Sequence, residues 1–163
     1  MEIKLLVLDV DGTLTDGKIY MSANGELMKA FNIKDGYALA HLLMQGIEPI
    51  IITGRSSEIV KRRCEELGIK ELHQGVADKA KCLKEVCEKK GITTKQCAYI
   101  GDDVNDIDCM MLCGHKAAPS DAMKVVRDVV DYVCEARGGE GAVREYCDYL
   151  IEKTQKNSND GRL

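Results

Sequence analysis

Two aspartates near the start of the chain have a spacing that suits the binding of a cation beside an anionic group. Asp9 and Asp11 are separated by one residue, so in an extended backbone both carboxylates point to the same side. Two carboxylates at this separation repel each other unless a cation lies between them or one takes up a proton. Gly12 follows directly and lets backbone N–H groups approach an anion closely.

Further polar residues occur at three later points, each at the end of an apolar run or at the start of a helical pattern. They are Thr53 with Gly54, then Lys79, then Asp102 and Asp103 with Asp106 one helical turn further. Carboxylates from separate strand ends suit Mg²⁺, which commonly takes one or two carboxylates, waters and a phosphate oxygen. A threonine hydroxyl and a lysine ammonium supply a donor and a charge that pair with phosphate. Together these residue types predict a site for Mg²⁺ and a phosphoryl group.

Each of these pieces also has an ordinary structural explanation when it is taken alone. A lone Asp-x-Asp is usually a solvated turn or cap, and Thr-Gly after a strand is common turn chemistry. The acidic residues at 102–106 are of the kind that cap helix N-termini, and Asp78-Lys79 alone reads as a helix cap beside an exposed lysine. The joint occurrence of all the pieces in one chain order favours the chemical interpretation.

The polar segments fall between strand and helix patterns that alternate along the chain. Strands are predicted at about 3–8, 49–52, 96–100, 116–118 and 132–134, and helices at about 35–45, 56–68, 78–90, 103–113, after 120 and at 140–153. Asp35 is the expected N-cap of the first helix, and Asn24-Gly25 predicts a hairpin within about 18–31. This order predicts an α/β protein with a Rossmann-like three-layer α/β/α fold, a mostly parallel sheet and a small hairpin insertion. Ligands of such sheets bind beyond the carboxyl ends of the strands, where the polar residues lie.

Length and composition limit the remaining possibilities. The 163 residues predict one domain at about 1–153, followed by a polar tail at 154–163 that we expect to be flexible. A net charge of −4 without a basic cluster argues against nucleic-acid binding, and the apolar runs fall short of the roughly 20 residues of a membrane span. The N-terminus lacks a secretory-signal pattern, so we expect a cytoplasmic protein whose eight cysteines are reduced and mostly buried.

The motifs DVDGTLTD, IITGR and GDDVND, together with Lys79, resemble the four motifs of the haloacid dehalogenase-like phosphatase superfamily. The resemblance implies that Asp9 is the nucleophile and that Asp11 is the general acid/base. The phosphate-binding groups that it implies are Thr53, Lys79 and the backbone at Gly12 and Gly54.

The same resemblance implies a metal site. Mg²⁺ would be held by Asp9, by the backbone carbonyl of Asp11 and by Asp102. Asp103 and Asp106 would orient or support the waters of the metal, and Asp103 is the stronger candidate of the two for a direct role.

The chain also resembles the branch of this superfamily that lacks a cap domain. The first two motifs are separated by a hairpin and one helix, and the last two by one helix and one strand, so neither gap can hold an independently folded cap. The segments GELMKAFNIKDGYAL, HQGVADK and GGEGAVRE are similar to those of the 3-deoxy-D-manno-octulosonate 8-phosphate (KDO 8-phosphate) phosphatases. This similarity implies a homotetramer in which a neighbouring subunit's hairpin and C-terminal segment help cover each active site.

Two arginines are candidates for contacts with the substrate. Arg55 follows the Thr-Gly motif, matches the octulosonate type and suits the carboxylate of a sugar acid through a bidentate pair. Arg63 matches a basic position of the same branch, in its own or a neighbouring chain, although an exposed helix charge is an equal interpretation. Glu140 instead resembles relatives that hydrolyse nine-carbon sugar-acid 9-phosphates, whereas Phe31 favours the octulosonate type. The octulosonate phosphate is the favoured substrate, and the nine-carbon phosphate is the alternative.

A different class of protein places similar residues at the end of a parallel sheet. Response-regulator receivers combine an acidic pair, a phospho-accepting aspartate, a Thr or Ser and a lysine, but in another chain order. Here one motif joins Asp9 and Asp11, and the isoleucine-rich strand ends in Thr53 rather than in an aspartate. A third possibility is an assembly module that has lost activity, which the intact set of motif residues argues against.

Overall fold

The computed structural model describes residues 2–160, and the side chains of residues 2–155. Its strands are β1 (Leu5–Leu8), β2 (Tyr20–Ser22), β3 (Gly25–Met28), β4 (Glu48–Ile52), β5 (Glu71–His73), β6 (Cys97–Ile100), β7 (His115–Ala118) and β8 (Tyr132–Val133). Its helices are α1 (Ile33–Met44), α2 (Glu58–Leu67), α3 (Lys79–Lys90), α4 (Ile107–Met110), α5 (Lys124–Arg127) and α6 (Ala142–Asp160), and 3₁₀ turns cover Thr94–Gln96 and Val104–Asp106.

Six of the strands form one parallel sheet in the order β5-β4-β1-β6-β7-β8, and β2 pairs with β3 in a separate antiparallel hairpin. The central strand β1 consists of four buried apolar residues. Leu6 and Leu8 belong to one apolar cluster and Leu5 and Val7 to another, because alternate side chains point to opposite faces. Both faces are therefore covered, and the predicted α/β fold with its hairpin insertion is confirmed.

Polar caps and glycines set the ends of the helices. The side chain of Asn32 accepts a hydrogen bond from the backbone N–H of Lys34 at the start of α1, and Asp78 does the same for Lys81 at the start of α3. Gly68 and Gly91 end α2 and α3 in the left-handed conformation, with φ of 70° and 64°.

The expectation that Asp35 caps α1 is wrong. Asp35 lies inside the first turn of α1 and is buried, and its Oδ1 accepts a hydrogen bond of 2.8 Å from the backbone N–H of Arg144. Its side chain therefore accepts a hydrogen bond from the first turn of α6 and does not cap its own helix. Burial raises the pKa of this carboxyl to about 6, against the opposing effect of its backbone hydrogen bonds.

Other boundaries also differ from the sequence-based predictions. The strand β5 was not predicted, and α5 is a single turn. The last helix extends to Asp160, beyond its predicted end at Lys153, so residues 154–160 continue a helix. The predicted flexibility of the tail stays a prediction, and residues 161–163 lie outside the described part of the chain.

The predictions for the cysteines and for membrane-spanning segments agree better with the structure. All eight cysteines are free thiols, and seven of them are buried, while Cys82 is half-buried. Among the described residues, no helix is both long and apolar enough to cross a membrane. The cytoplasmic location stays a prediction.

Candidate active site

Three neighbouring strands bring the predicted residues to one edge of the sheet. Leu8 of β1 is in register with Ile51 of β4 on one side and with Ile100 of β6 on the other. The segments that follow these strands therefore leave the sheet side by side. They line one open cleft, which comprises Asp9, Asp11, Thr53, Gly54, Arg55, Asp102, Asp103 and Asn105.

The centre of the site is an ion-pair network around Lys79, the first residue of α3. Its Nζ lies 2.6 Å from Oδ1 of Asp9 and 2.7 Å from Oδ1 of Asp106, and all three residues are buried. Burial alone would lower the pKa of Lys79, but the charges of the two carboxylates outweigh it and raise that pKa. Burial and the charge of Asp106 raise the pKa of Asp9 to about 6, although Lys79 acts in the opposite direction. The ammonium therefore holds Oδ1 of Asp9, and a backbone hydrogen bond from Val10 also acts on this carboxylate.

Asp106, which the sequence suggested as a support of the metal site, lies beneath Asp102 and Lys79. It is fully buried, its Oδ1 accepts a 2.7 Å hydrogen bond from the hydroxyl of Tyr99, and its Oδ2 accepts bonds from the backbone N–H groups of Asp102 (3.0 Å) and Asp103 (3.2 Å). Both of its oxygens are thus engaged by the protein. Asp106 holds Lys79 and the turn after β6, and Tyr99 is a supporting residue that the motifs did not indicate.

Asp102 provides the second carboxylate of the cleft. Burial, followed by the charges of Asp9 and Asp106, raises its pKa to about 8, while a 3.3 Å hydrogen bond from the hydroxyl of Thr13 acts in the opposite direction. Carboxylate oxygens of Asp9, Asp102 and Asp106 lie within 4.8 Å of one another. These three carboxylates carry more negative charge than the ammonium of Lys79, which pairs with Asp9 and Asp106, can balance, and such a set of oxygen donors fits a hard divalent cation such as Mg²⁺.

Close backbone contacts hold the loop after β1 against its neighbours. Gly12 has φ of 90°, and a Cβ atom there would lie 2.1 Å from Oδ2 of Asp102. On the other side of this loop, a Cβ on Gly138 would lie 1.8 Å from the carbonyl oxygen of Gly12, and the N–H of Gly139 donates a 3.0 Å hydrogen bond to the carbonyl of Thr13. These glycines are needed for the approach of the loops that form the cleft.

Asp11 lies at the rim of the cleft, where it contacts a lysine from the hairpin. Oδ1 of Asp11 pairs with Nζ of Lys29, which also lies 2.9 Å from Oε1 of Glu26. Glu26 accepts a 2.5 Å hydrogen bond from the hydroxyl of Ser57, and its Oε1 lies 3.7 Å from Nη2 of Arg55. Glu26 and Lys29 carry no motif signal in the sequence, because only the folded hairpin brings them to the motif residues.

The remaining predicted residues divide between the cleft and another part of the protein. Arg55 lines the cleft and is partly exposed, and the exposed Asp103 caps the following turn by accepting a 2.7 Å bond from the N–H of Val104. Arg63 instead lies over the ring of Phe31, 5.6 Å from its centroid, and pairs with Glu66 at 3.3 Å. Within one chain the structure therefore does not bring Arg63 to the carboxylates, and the prediction that it binds the substrate finds no support in this geometry.

The parallel sheet, the hairpin and the aspartate–lysine cleft define a hydrolase of the haloacid dehalogenase-like class. The family model for haloacid dehalogenase-like hydrolases matches residues 33–110. In amino-acid sequence, the 3-deoxy-D-manno-octulosonate 8-phosphate phosphatase KdsC of Escherichia coli K12 is 46% identical over 149 residues, which cover 91% of this chain and 79% of the relative. The protein of the same name from Haemophilus influenzae is 38% identical, over 96% of this chain and 87% of the relative.

Solved structures are similar over nearly the same range. The 3-deoxy-D-manno-octulosonate 8-phosphate phosphatase of Moraxella catarrhalis, in complex with a magnesium ion, a phosphate ion and KDO, has a TM-score of 0.89 at 43% identity, covering 92% of this chain and 86% of that one. The cobalt-bound form from Haemophilus influenzae has a TM-score of 0.91 at 38% identity, covering 96% and 92%. The chain therefore belongs to the KDO 8-phosphate phosphatase family of the haloacid dehalogenase-like hydrolases, and the resemblance seen in its motifs is confirmed.

Proposed function

We propose that the protein is a Mg²⁺-dependent phosphoric monoester hydrolase that converts 3-deoxy-D-manno-octulosonate 8-phosphate to KDO and phosphate. The observation that carries this proposal is the buried carboxylate of Asp9, which Lys79 holds by one oxygen at the floor of an open cleft. The relatives named for this substrate, at 38–46% identity over most of the chain, support the same reaction. A receiver function finds no support, because the chain belongs to another family.

Asp9 is the nucleophile in this proposal. Its Oδ2 forms a bond to phosphorus while the bond between phosphorus and the sugar oxygen breaks, which yields an aspartyl-phosphate. Asp11 gives its proton to the departing oxygen and then takes a proton from the water that hydrolyses the aspartyl-phosphate. Thr53, Lys79 and the backbone N–H groups at Gly12 and Gly54 bind the equatorial oxygens of the phosphoryl group.

The metal would be held by Asp9 and Asp102 together with the backbone carbonyl of Asp11. Bound there, Mg²⁺ supplies positive charge that reduces the repulsion between the attacking carboxylate and the phosphate. Asp103, which is exposed at the rim, remains the candidate for orienting metal-bound water. Asp106 is assigned to the support of Lys79, because both of its oxygens already accept hydrogen bonds from the protein.

Arg55 would bind the carboxylate of the sugar acid. It is the partly exposed cation of the cleft, and a guanidinium can form two parallel hydrogen bonds with a carboxylate. Its distance of 3.7 Å from Glu26 is long for a hydrogen bond, so a substrate carboxylate can compete for the guanidinium.

A substrate panel tests the proposed reaction. We expect kcat/KM for KDO 8-phosphate to exceed that for a nine-carbon sugar-acid 9-phosphate and for a sugar phosphate without a carboxylate, each by at least about tenfold, the effect of roughly 1.4 kcal/mol in the transition state. Phosphate release is measured with Mg²⁺ and after chelation, and chelation should abolish it. Comparable rates for the eight- and nine-carbon substrates would contradict the substrate assignment, and undiminished turnover after chelation would contradict the metal.

We also propose that the enzyme is a homotetramer in which neighbouring subunits complete each active site. The hairpin exposes Ile19, Met21, Leu27 and Met28, and the nearby start of α1 exposes Ile33, so one region of the surface is strongly apolar. The chain inserts only this hairpin and α1 between the first two motifs, so no cap domain lies between them.

The tetramer has a direct solution test. Light scattering at micromolar concentration should give four times the chain mass of 18.0 kDa. Met21→Lys combined with Leu27→Lys should dissociate the assembly and raise KM, while the exposed Val125→Lys serves as a control outside the hairpin. A fully active monomer would contradict the proposal.

A further inference from the structure

Lys29 is a lysine outside the four catalytic motifs whose side chain is buried. It directly follows β3, and its side chain is only 3% exposed, although the hairpin presents several apolar side chains to solvent. Lysine is among the residues least often found fully buried, because its ammonium loses hydration unless it is paired. Here Nζ contacts Oδ1 of Asp11 and lies 2.9 Å from Oε1 of Glu26, so two carboxylates compensate that loss.

The second carboxylate is itself held in place from a different element. Oε2 of Glu26 accepts a 2.5 Å hydrogen bond from the hydroxyl of Ser57, the residue before α2. The backbone N–H of Ser57 in turn donates a 2.8 Å hydrogen bond to Oε1 of Gln74. A chain of contacts from Asp11 through Lys29 and Glu26 to Ser57 thus joins the loop after β1, the hairpin and the start of α2. The position of the ammonium is therefore determined independently of Asp11.

We propose that Lys29 is a positioning residue for the general acid/base Asp11, an inference that rests on the function proposed above. Lys29 engages Oδ1 of Asp11, which leaves Oδ2 as the oxygen that exchanges a proton with the substrate. When the bond between phosphorus and the sugar oxygen breaks, its electron pair stays on the sugar oxygen, which takes the proton from Oδ2. Asp11 is then a carboxylate whose Oδ1 still contacts the ammonium. Lys29 thereby restricts the side-chain rotation of Asp11 through both halves of the reaction.

The nature of the leaving group separates this role from a purely structural one. An alkoxide such as the sugar oxygen needs a proton as it departs, whereas p-nitrophenolate leaves readily without one. Because kcat/KM covers the steps up to the first irreversible one, it reports the transfer to Asp9 and the departure of the leaving group. A misplaced Asp11 therefore lowers kcat/KM for an alkyl phosphate and has little effect on the aryl phosphate.

The experiment compares Lys29→Met with the wild type on both kinds of substrate. We expect kcat/KM for KDO 8-phosphate to fall about 30- to 100-fold, less than the roughly 10²- to 10⁴-fold contribution of a whole general acid because Asp11 is displaced and not removed, and that for p-nitrophenyl phosphate to fall less than about threefold. Lys18→Met is the matched control, because Lys18 is an exposed lysine just before the same hairpin. It should leave both values unchanged, and thermal unfolding should show that both variants are folded.

Each alternative outcome has a distinct meaning. Equal losses on the two substrates, or no loss on either, would overturn the role of Lys29, whereas a wild-type enzyme inactive on KDO 8-phosphate would overturn the proposed function instead. If Lys29→Met does not fold, Glu26→Gln is compared on glycerol 3-phosphate and p-nitrophenyl phosphate, since substrates without a carboxylate avoid the neighbouring Arg55. A selective loss on the alkyl phosphate supports the inference, and a loss of equal size on both overturns it.

Discussion

Asp9→Asn is expected to reduce phosphate release by about 10⁴-fold or more while leaving the protein folded. The amide has the shape of the carboxylate, but it cannot act as the nucleophile that forms the aspartyl-phosphate, and loss of a nucleophile removes most of the catalysis of its site. The fold should survive, because Lys79 keeps its 2.7 Å contact with Asp106 and the amide oxygen of Asn can still accept a hydrogen bond from the ammonium.

The measurement has two parts. Steady-state phosphate release gives the loss of activity, and labelling with a radioactive phosphoryl group tests whether the wild type, but not the variant, forms a covalent phosphoprotein. Asp108→Asn is the matched control, since Asp108 is an exposed aspartate one turn after the site. Undiminished turnover by Asp9→Asn would remove Asp9 from the mechanism.

Lys79→Met is expected to have the second-largest effect, because it acts on both activity and stability. The variant leaves Asp9 and Asp106 buried without the ammonium that pairs with both, and breaking a buried pair in this way typically costs about 3–5 kcal/mol of unfolding free energy. Activity should also fall about 10³-fold, in the range found when a donor that stabilises transition-state charge is removed.

The loss of stability should depend on pH in a definite direction. Lys79 lowers the pKa of Asp9, which stands at about 6 with the lysine present, so its removal raises that pKa further. A carboxyl whose pKa is raised in the folded state is tolerated while protonated and destabilises the fold as the pH rises through that pKa. We therefore expect the cost of Lys79→Met to be small near pH 5 and to grow above pH 6.

Urea unfolding at several pH values measures this dependence. Lys84→Met on the exposed face of α3 serves as the control for loss of a positive charge from the same helix. A cost that does not change between acid and neutral pH would mean that the unpaired carboxylate of Asp9 is not the source of the instability.

Much of the site could be predicted, because one simple property of parallel sheets brings its residues together. A run such as Leu5–Leu8 is buried on both faces, so it belongs to a parallel sheet, and parallel strands expose their carboxyl ends at one edge. The residues directly after β1, β4 and β6 therefore had to lie together. The positions of Asp9, Thr53 and Asp102 after these strands were enough to predict that the three residues lie close together.

The roles that the sequence could not assign depend on how the backbone continues after each strand and on the direction in which it points a side chain. Asp106 is an acidic motif residue, but the 3₁₀ turn directs it into the protein, where Tyr99 and Lys79 donate hydrogen bonds to its Oδ1. Lys29 and Glu26 reach the site only because the hairpin folds back over it. Arg63 has the correct type of charge, yet the rotation of α2 places it over Phe31.

Local sequence patterns did not predict a very short strand, and they assigned the wrong partner to a capping residue whose true partner is distant in the sequence. The strand β5 has three residues, too few for an alternating pattern to be recognised, and it forms because β4 offers it a free edge. Asp35 looked like a helix cap by its position in the sequence, but its hydrogen-bond partner belongs to α6, far along the chain.

The close approach of Gly12 to Asp102 also constrains how this sequence can change over time. A larger residue at position 12 needs the space that the carboxylate of Asp102 fills, so position 12 cannot vary while Asp102 keeps its present side chain. Gly138 and Gly139 extend this dependence to the C-terminal part, because they occupy the opposite side of the same loop. A single substitution at Gly12, Gly138 or Gly139 therefore passes through a strained form. Divergence of substrate preference is therefore expected to proceed at the open rim around Arg55, while the floor of the cleft stays unchanged.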